Sequence, residues 1–280
     1  STDKDRPSGV DDKHIVLLAE SDGLGKNIEN GRKVMLANST LVEDALRTKL
    51  GKLELLVVIG SGGGGTGSSI SVLKEVFNRF VISNGGGKVI YIITMPTNQE
   101  MLNETIKKNA ETLLKDLDNE TVLVLNNEKQ TSFLKGKSGI SGIYPQANQI
   151  FAKMFHQFLK LSSEKSDLSA CDSEDLKKFL EPTGRIFIGS SMNEPNDSLG
   201  VNTLQKCIDS SPCPIPKGKA EKGVLLQVLG QEAANDPSVA EHINASISYV
   251  GGRCNTLFSG IYIKEIKNVV SLLGFSGLKE

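Results

Sequence analysis

The sequence predicts an α/β protein with a parallel-sheet domain over residues 1–143, a long helix and its following loop over 144–182, and a smaller α+β domain over 183–280. Three observations predict it. Residues 53–77, LELLVVIGSGGGGTGSSISVLKEVF, read as a strand, a glycine turn and a helix with no spacer between them. Apolar runs at 88–94 and 121–125 read as further buried strands, separated by a helical pattern. Residues 144–162 carry a wide apolar stripe at helical spacing, after which the chain turns polar and then returns to short strands and helices.

The glycine turn is the most informative stretch. Leu53, Leu55, Leu56, Val57, Val58 and Ile59 form a nearly unbroken apolar run, which suits a parallel strand covered on both faces. Six of the eight positions from 60 to 67 are glycine, so the backbone there is open to close approach by something large and polar. Ile70, Val72, Leu73, Val76 and Phe77 then recur at helical spacing and place a helix start near Ser68 or Ser69. Its free N–H groups and positive dipole end face the turn, and a phosphate is the natural occupant. The spaced dinucleotide fingerprint does not fit contiguous glycines, and no lysine follows them as a P-loop requires.

Composition narrows the field. A net charge of −1 gives no basic field for direct nucleic-acid binding. No apolar stretch reaches the ~18 residues of a membrane span and no signal peptide precedes the first strand, so a cytoplasmic protein is expected. Cys171, Cys207, Cys213 and Cys254 are scattered without a C-x-x-C pair, which indicates neither a disulfide framework nor a metal site.

In chain order, 1–13 read as a polar loop and 15–18 as a short strand. A second glycine loop, from Ser21 through Gly23, Gly25, Lys26 and Asn27 to Lys33, runs into a helix carrying Val34, Leu36, Leu41, Val42, Ala45 and Leu46. After the central helix, Gly85–Gly87 mark a turn, Pro96 ends the strand at 88–94, and a helix is expected over 99–117. Asn126-Asn127 reads as a turn. In the helix at 144–162 the apolar stripe is Ile150, Met154, Phe155, Phe158, Leu159 and Leu161, and His156 reads as a buried, hydrogen-bonded histidine. Beyond it, Asp172 or Ser173 is placed to cap a helix with Asp175 in its first turn. The remainder offers strands at 185–188, 223–229, 245–250 and 261–263 or 269–273, helices at 199–208 and 239–243, and an exposed connector around Pro212, Pro214 and Pro216.

Gly63-Gly64-Gly65-Thr66-Gly67-Ser68-Ser69 resembles the tubulin/FtsZ signature GGGTG[ST]G, with Ser69 in place of the last glycine. The second loop resembles the family's G-x-G-x-N-P-E-x-G-R, matching at Gly23, Gly25, Asn27, Glu29, Gly31 and Arg32 with Ile28 in place of proline. The resemblance covers nearly the whole chain and is nearest in style to the TubZ and PhuZ proteins of plasmids and phages. It implies a Rossmann-like GTPase domain, a core helix and a second domain that bind GTP or GDP with Mg2+. Gly62 to Ser68 would hold phosphates, with Gly23, Gly25, Lys26 and Asn27 against the terminal one. Pro96 and Glu100 would lie at the ribose, and Asn127 and Asn148 at the guanine. Glu104 stands where the family has a basic residue.

The 170–175 segment is similar to the family's catalytic loop N-x-D-x-x-D, with Ala170 at the Asn position and Asp172 and Asp175 as the two acids. A helix over 144–162 spans about 28 Å, so these acids lie at the pole opposite the phosphates. The resemblance therefore implies head-to-tail filaments in which one subunit's acids direct water onto its neighbour's nucleotide. It further implies movement or positioning of plasmid or phage DNA through a DNA-binding adaptor. A non-polymerising nucleotide-dependent regulator and an interaction protein without nucleotide binding are the alternatives. The family also has a strand and a G-x-G-G turn upstream of the loop that Ser1-Thr2-Asp3-Lys4-Asp5 matches, and a helix and tail beyond the position of Glu280.

Overall fold

The structure is a computed structural model that describes residues 9–18, 24–132, 134, 139–166, 168–193, 201–214 and 217–279. The chain divides into two compact units, Ser1–Val122 and Leu123–Glu280.

The first unit contains α1 (Ile28–Ala37), α2 (Ser39–Lys49), β1 (Leu55–Ser61), α3 (Lys74–Ser83), β2 (Lys88–Met95) and α4 (Glu104–Asp116). β1 runs parallel to β2, from Leu55 opposite Lys88 to Ser61 opposite Thr94. The core gathers on β2, where Ile90, Tyr91 and Ile93 are fully buried, and Phe77, Phe80, Ala110 and Leu113 are buried with it. Asn103 begins α4 by accepting the N–H groups of Thr105 and Ile106.

Five expectations change here, the first being that the one helix expected to carry Val34 through Leu46 is two, α1 and α2, parted at Asn38. Residues 15–18 form no strand; a 3-10 turn at Asp12–His14, capped by Asp11, precedes them. Ile59 is 68% exposed, so the apolar run is not covered on both faces. An apolar run fits an edge strand as well as a central one, and within the described residues of this unit β1 pairs only with β2. The helix after the glycine turn opens as a 3-10 segment, Gly67–Leu73, before α3. The helix expected from 99 starts at Glu104, because Asn103 caps it and Glu100–Leu102 forms a separate 3-10 turn.

The second unit runs β3 (Thr121–Asn126, beginning at the unit boundary), α5 (Asn127–Ser132), α6 (Ile140–Leu161), α7 (Ser173–Leu180), β4 (Gly184–Asn193), α8 (Val201–Ser210), β5 (Ala220–Gly230), α9 (Gln231–Ala234), α10 (Pro237–Gly251), β6 (Cys254–Lys264) and β7 (Val269–Leu278). Its strands lie in the order β3-β4-β7-β5-β6. β5 is parallel to β6, and β7 is antiparallel to both β4 and β5. Phe158 and Phe179 pack with ring centroids 5.6 Å apart. A Cβ on Gly274 would stand 2.9 Å from Phe179 and 3.1 Å from Phe158, so the missing side chain is what lets both rings onto the sheet.

α6 starts at Ile140, earlier than the stripe suggested, and carries Pro145 inside it. Ala147, Phe151, Met154, Phe158 and Leu161 form its buried face. His156 is exposed and not buried, because it lies two residues from both Met154 and Phe158 and so points to the opposite side of the helix. Ile150, at the margin of the buried face, is exposed as well. The strand expected at 245–250 is the last part of α10: Val239, Ile243, Ser246 and Val250 are buried at helical spacing, and that period overrides local strand preference. Asn127 opens a helix and is not in a simple turn. The proline connector is partly internal: Ser211, Pro212 and Cys213 are buried, and the Asn126 N–H donates to the Pro212 carbonyl at 3.0 Å. Pro216 and Leu199 lie outside the described residues. Among the described residues, no helix is long and apolar enough to cross a membrane.

All four cysteines are free and buried. Burial pushes the Cys171 and Cys207 thiols up to about 12 from the usual 9.0, and raises those of Cys213 and Cys254 as well. The native protein should therefore be nearly inert to Ellman's reagent at pH 8 and titrate four thiols once unfolded in guanidinium. A raised thiol binds its proton more tightly in the folded state, so the contribution to stability is whole below pH 9.0 and declines as pH rises toward about 12. A urea midpoint that rose over this interval would contradict the assignment.

Candidate functional site

In the first unit the two glycine loops lie directly on each other. A Cβ on Gly31 would fall inside the contact distance of the Gly65 carbonyl and the Ser69 hydroxyl, and one on Gly65 would stand 3.0 Å from the Asn27 carbonyl and from Leu24. Ser69 clips the two together, its Oγ donating toward the Gly65 carbonyl (2.6 Å) and the Ile28 carbonyl (3.1 Å). Gly63 abuts Pro96, and Gly62 lies against Ala110 and Met95. Among the described residues, the amides of Gly63, Gly64, Gly65 and Thr66 donate to no backbone carbonyl. A run of such N–H groups before a helical segment is what an anion needs.

The second loop is shaped by chirality and capping. Gly25 (φ 55°) and Lys26 (φ 63°) are consecutive left-handed residues, which suits glycine and strains lysine. Asn27 then caps α1, its Oδ1 accepting the Asn30 N–H at 3.0 Å. Gly23 lies outside the described residues. Between this loop and α4 is a cleft of ≈ 410 Å³ lined by Gly25, Lys26, Asn27, Glu104, Lys108 and Asn109 among others.

Glu100 is held by its own turn: its Oε2 accepts from the Thr97 N–H (2.7 Å) and the Thr97 hydroxyl (2.9 Å). Arg32 pairs with Asp116, the last residue of α4, whose Oδ2 also accepts from Ser71 at 2.7 Å. Lys74 donates to the Asp116 carbonyl at 2.6 Å. This knot joins α1, α4 and the 3-10 segment behind the glycine turn, and sequence reading missed it because its members lie 45 and 84 positions apart in the chain. Asn109, also missed, was findable. It is a polar residue on the apolar side of α4, between Ile106 and Leu113, and it is 1% exposed.

In the second unit Asn127 is half-buried at the start of α5, Asn148 is exposed on α6, and the two helices pack together. Neither carboxamide bonds to a described residue. Lys129, one turn into α5, has its ammonium between the carbonyls of Ile208 and Cys213, both at 3.2 Å, and burial lowers its pKa.

Asp172 and Asp175 form a reciprocal capping box on α7. The Asp175 N–H donates to Asp172 Oδ1 (2.9 Å), and the Asp172 N–H reaches Asp175 Oδ2 (3.4 Å). The loop before them is fastened to β6. Tyr262 Oη donates to the Cys171 carbonyl and accepts from the Cys171 N–H, both at 3.2 Å, while Ser166 and Ser169 bond carbonyls of Ile261 and Ser259. The acids are thus presented on a rigid corner, with Asp172 exposed.

A curated relative, the tubulin-like protein CetZ of Methanothrix thermoacetophila, is 23% identical over 273 residues, covering 92% of this chain and 70% of the relative. The solved structure of CetZ2 from Haloferax volcanii, a GTPγS-bound protofilament, superposes with a TM-score of 0.75 at 20% identity over 92% of this chain and 75% of that one. The chain has the tubulin/FtsZ fold. A GTPγS-form protofilament of TubZ from Bacillus thuringiensis serovar israelensis gives 0.74 at 15% identity over 94% and 74% of the two chains, and an empty FtsZ dimer from M. jannaschii gives 0.68 at 18% identity over 91% and 71%. No family model matches the chain.

Two substitutions test these placements. Gly31→Ala forces the glycine loops apart and should lower stability by about 1–3 kcal/mol despite alanine's better helix propensity, read as a shift in urea midpoint. Tyr262→Phe leaves both backbone groups of Cys171 unpaired and should cost about 1–3 kcal/mol. Its hydrogen exchange should quicken in 166–175, and unchanged protection there would refute the clamp.

Proposed function

We propose that this chain is a GTP-binding subunit of head-to-tail filaments and hydrolyses GTP in the assembled state. The observation that carries the reading is the packing of the two glycine loops into one cradle whose turn amides, Gly63 to Thr66, have no backbone acceptor among the described residues. In this reading the cradle binds a guanosine nucleotide, with Mg2+ as the nucleotide's accompanying ion. Pro96, which packs on Gly63, and Glu100, four residues further on, would lie toward the ribose, and Asn127 and Asn148 of the second unit, whose carboxamides bond to no described residue, would serve the guanine.

Asp172 and Asp175 supply the acids. A carboxylate pair fixed by a capping box, with Asp172 exposed and Asp175 half-buried, is suited to orienting a water molecule toward a partner's nucleotide. Neighbours by fold solved as a GTPγS-bound and a GTPγS-form protofilament support the assembly part of this reading. Within this reading a DNA cargo of plasmid or phage origin would be carried through an adaptor, since the net charge of −1 offers no field for direct contact.

The test is sedimentation with GTP, GTPγS and GDP alongside phosphate release. Wild type should pellet with GTP and GTPγS, and its turnover per subunit should rise with protein concentration. Asp175→Ala should still bind nucleotide and pellet, with hydrolysis slower by about 10²-fold or more. Concentration-independent turnover would instead support a monomeric enzyme, and absence of nucleotide binding would remove the proposal.

A further inference from the structure

Asn109 occupies a position that no motif marks. It is buried on α4, 1% exposed, and its single Nδ2 group reaches into both glycine loops: 2.8 Å to the Lys26 carbonyl and 3.4 Å to the Gly63 carbonyl. Its Oδ1 accepts from no described residue.

A peptide unit is planar and trans, so fixing its carbonyl also fixes its N–H, which points the opposite way. With the Gly63 carbonyl held toward Asn109, the Gly64 N–H is directed away from α4. The Gly63–Gly64 peptide also has backbone freedom to rotate. It lies between two residues without Cβ, and a Cβ built on Gly64 would meet nothing within 4 Å. The 3.4 Å contact is the soft one, while the 2.8 Å bond anchors the amide to Lys26, itself held in the left-handed region at φ 63°. One carboxamide therefore holds both a strained loop and, more softly, the orientation of a glycine peptide in the adjoining one.

We propose that Asn109 is a positioning residue of the phosphate cradle, which keeps the Gly64 N–H available to the nucleotide's phosphates and makes the two glycine loops respond together. The proposal rests on the nucleotide-binding reading above. A carboxylate at this position would reverse the preference. It repels both carbonyls and accepts the Gly64 N–H in the rotated peptide, so it withdraws that donor from a phosphate. Alanine leaves the peptide free, and serine keeps one donor.

The experiment is titration of the full chain with fluorescent mant-GDP and mant-GTPγS, for wild type, Asn109→Ser, Asn109→Ala and Asn109→Asp, with urea midpoints of the nucleotide-free proteins. The expected order of affinity is Asn, Ser, Ala, Asp, with alanine about tenfold weaker than wild type, the value of one hydrogen bond, and aspartate weaker still. Urea midpoints should fall for every variant, but serine should be no more stable than alanine, so stability alone should not order those two affinities. Should Asn109→Asp not fold, the serine-over-alanine order decides. Equal affinities for serine and alanine, or affinities that simply track the urea midpoints, would make Asn109 structural and overturn the proposal. Failure of wild type to bind either nucleotide would instead remove the functional reading on which it rests.

Discussion

The site in the first unit depends on one close approach, that of two stretches of bare backbone. Gly31 and Gly65 meet without side chains between them: a β-carbon on Gly31 would overlap the Gly65 carbonyl and the Ser69 hydroxyl, and one on Gly65 would stand only 3.0 Å from the Asn27 carbonyl. Ser69 reinforces the approach because its hydroxyl is shared between one carbonyl from each loop. Such contact forbids independent movement: whatever shifts the turn at 62–67 must shift the start of α1. The Arg32–Asp116–Ser71 knot holds the same elements from behind and Asn109 from the side. The cradle is thus held from three directions by groups that need not touch a ligand themselves.

In the second unit the chain just ahead of Asp172, which is exposed, and Asp175, which is half-buried, is pinned to β6. The hydroxyl of Tyr262 satisfies both backbone groups of Cys171, and Gly260 makes room for that ring, since a Cβ there would lie 2.8 Å from it. Asp172 and Asp175 then stabilise α7 by capping each other's backbone. Helix capping and a catalytic role are compatible, because a carboxylate has two oxygens and the cap engages one.

Where sequence reading succeeded, the determinant was local and chemical. Runs of glycine, a strand that must end at Pro96, and the aspartate before α7 each act within a few residues of chain. Where it failed, the decision belonged to neighbours. The run at 245–250 has strand composition, yet Asp236 and Pro237 start a helix whose buried face continues through Val250. His156 shares a segment with apolar residues but not their side of α6. Ile59 has the composition of a covered strand position and is largely exposed.

By itself the sequence determined the α/β class, the strand-turn-helix at the centre of the first unit, the two glycine loops and the acid-capped helix, because these follow from backbone freedom, side-chain periodicity and hydrogen bonds between near neighbours in the chain. Only the tertiary structure decided that Asn109 spans both loops, that Asp116 joins Arg32 to Ser71, and that Tyr262 secures Cys171. Those contacts join residues 45 to 91 positions apart, and no local pattern records which distant carbonyl a buried donor will meet.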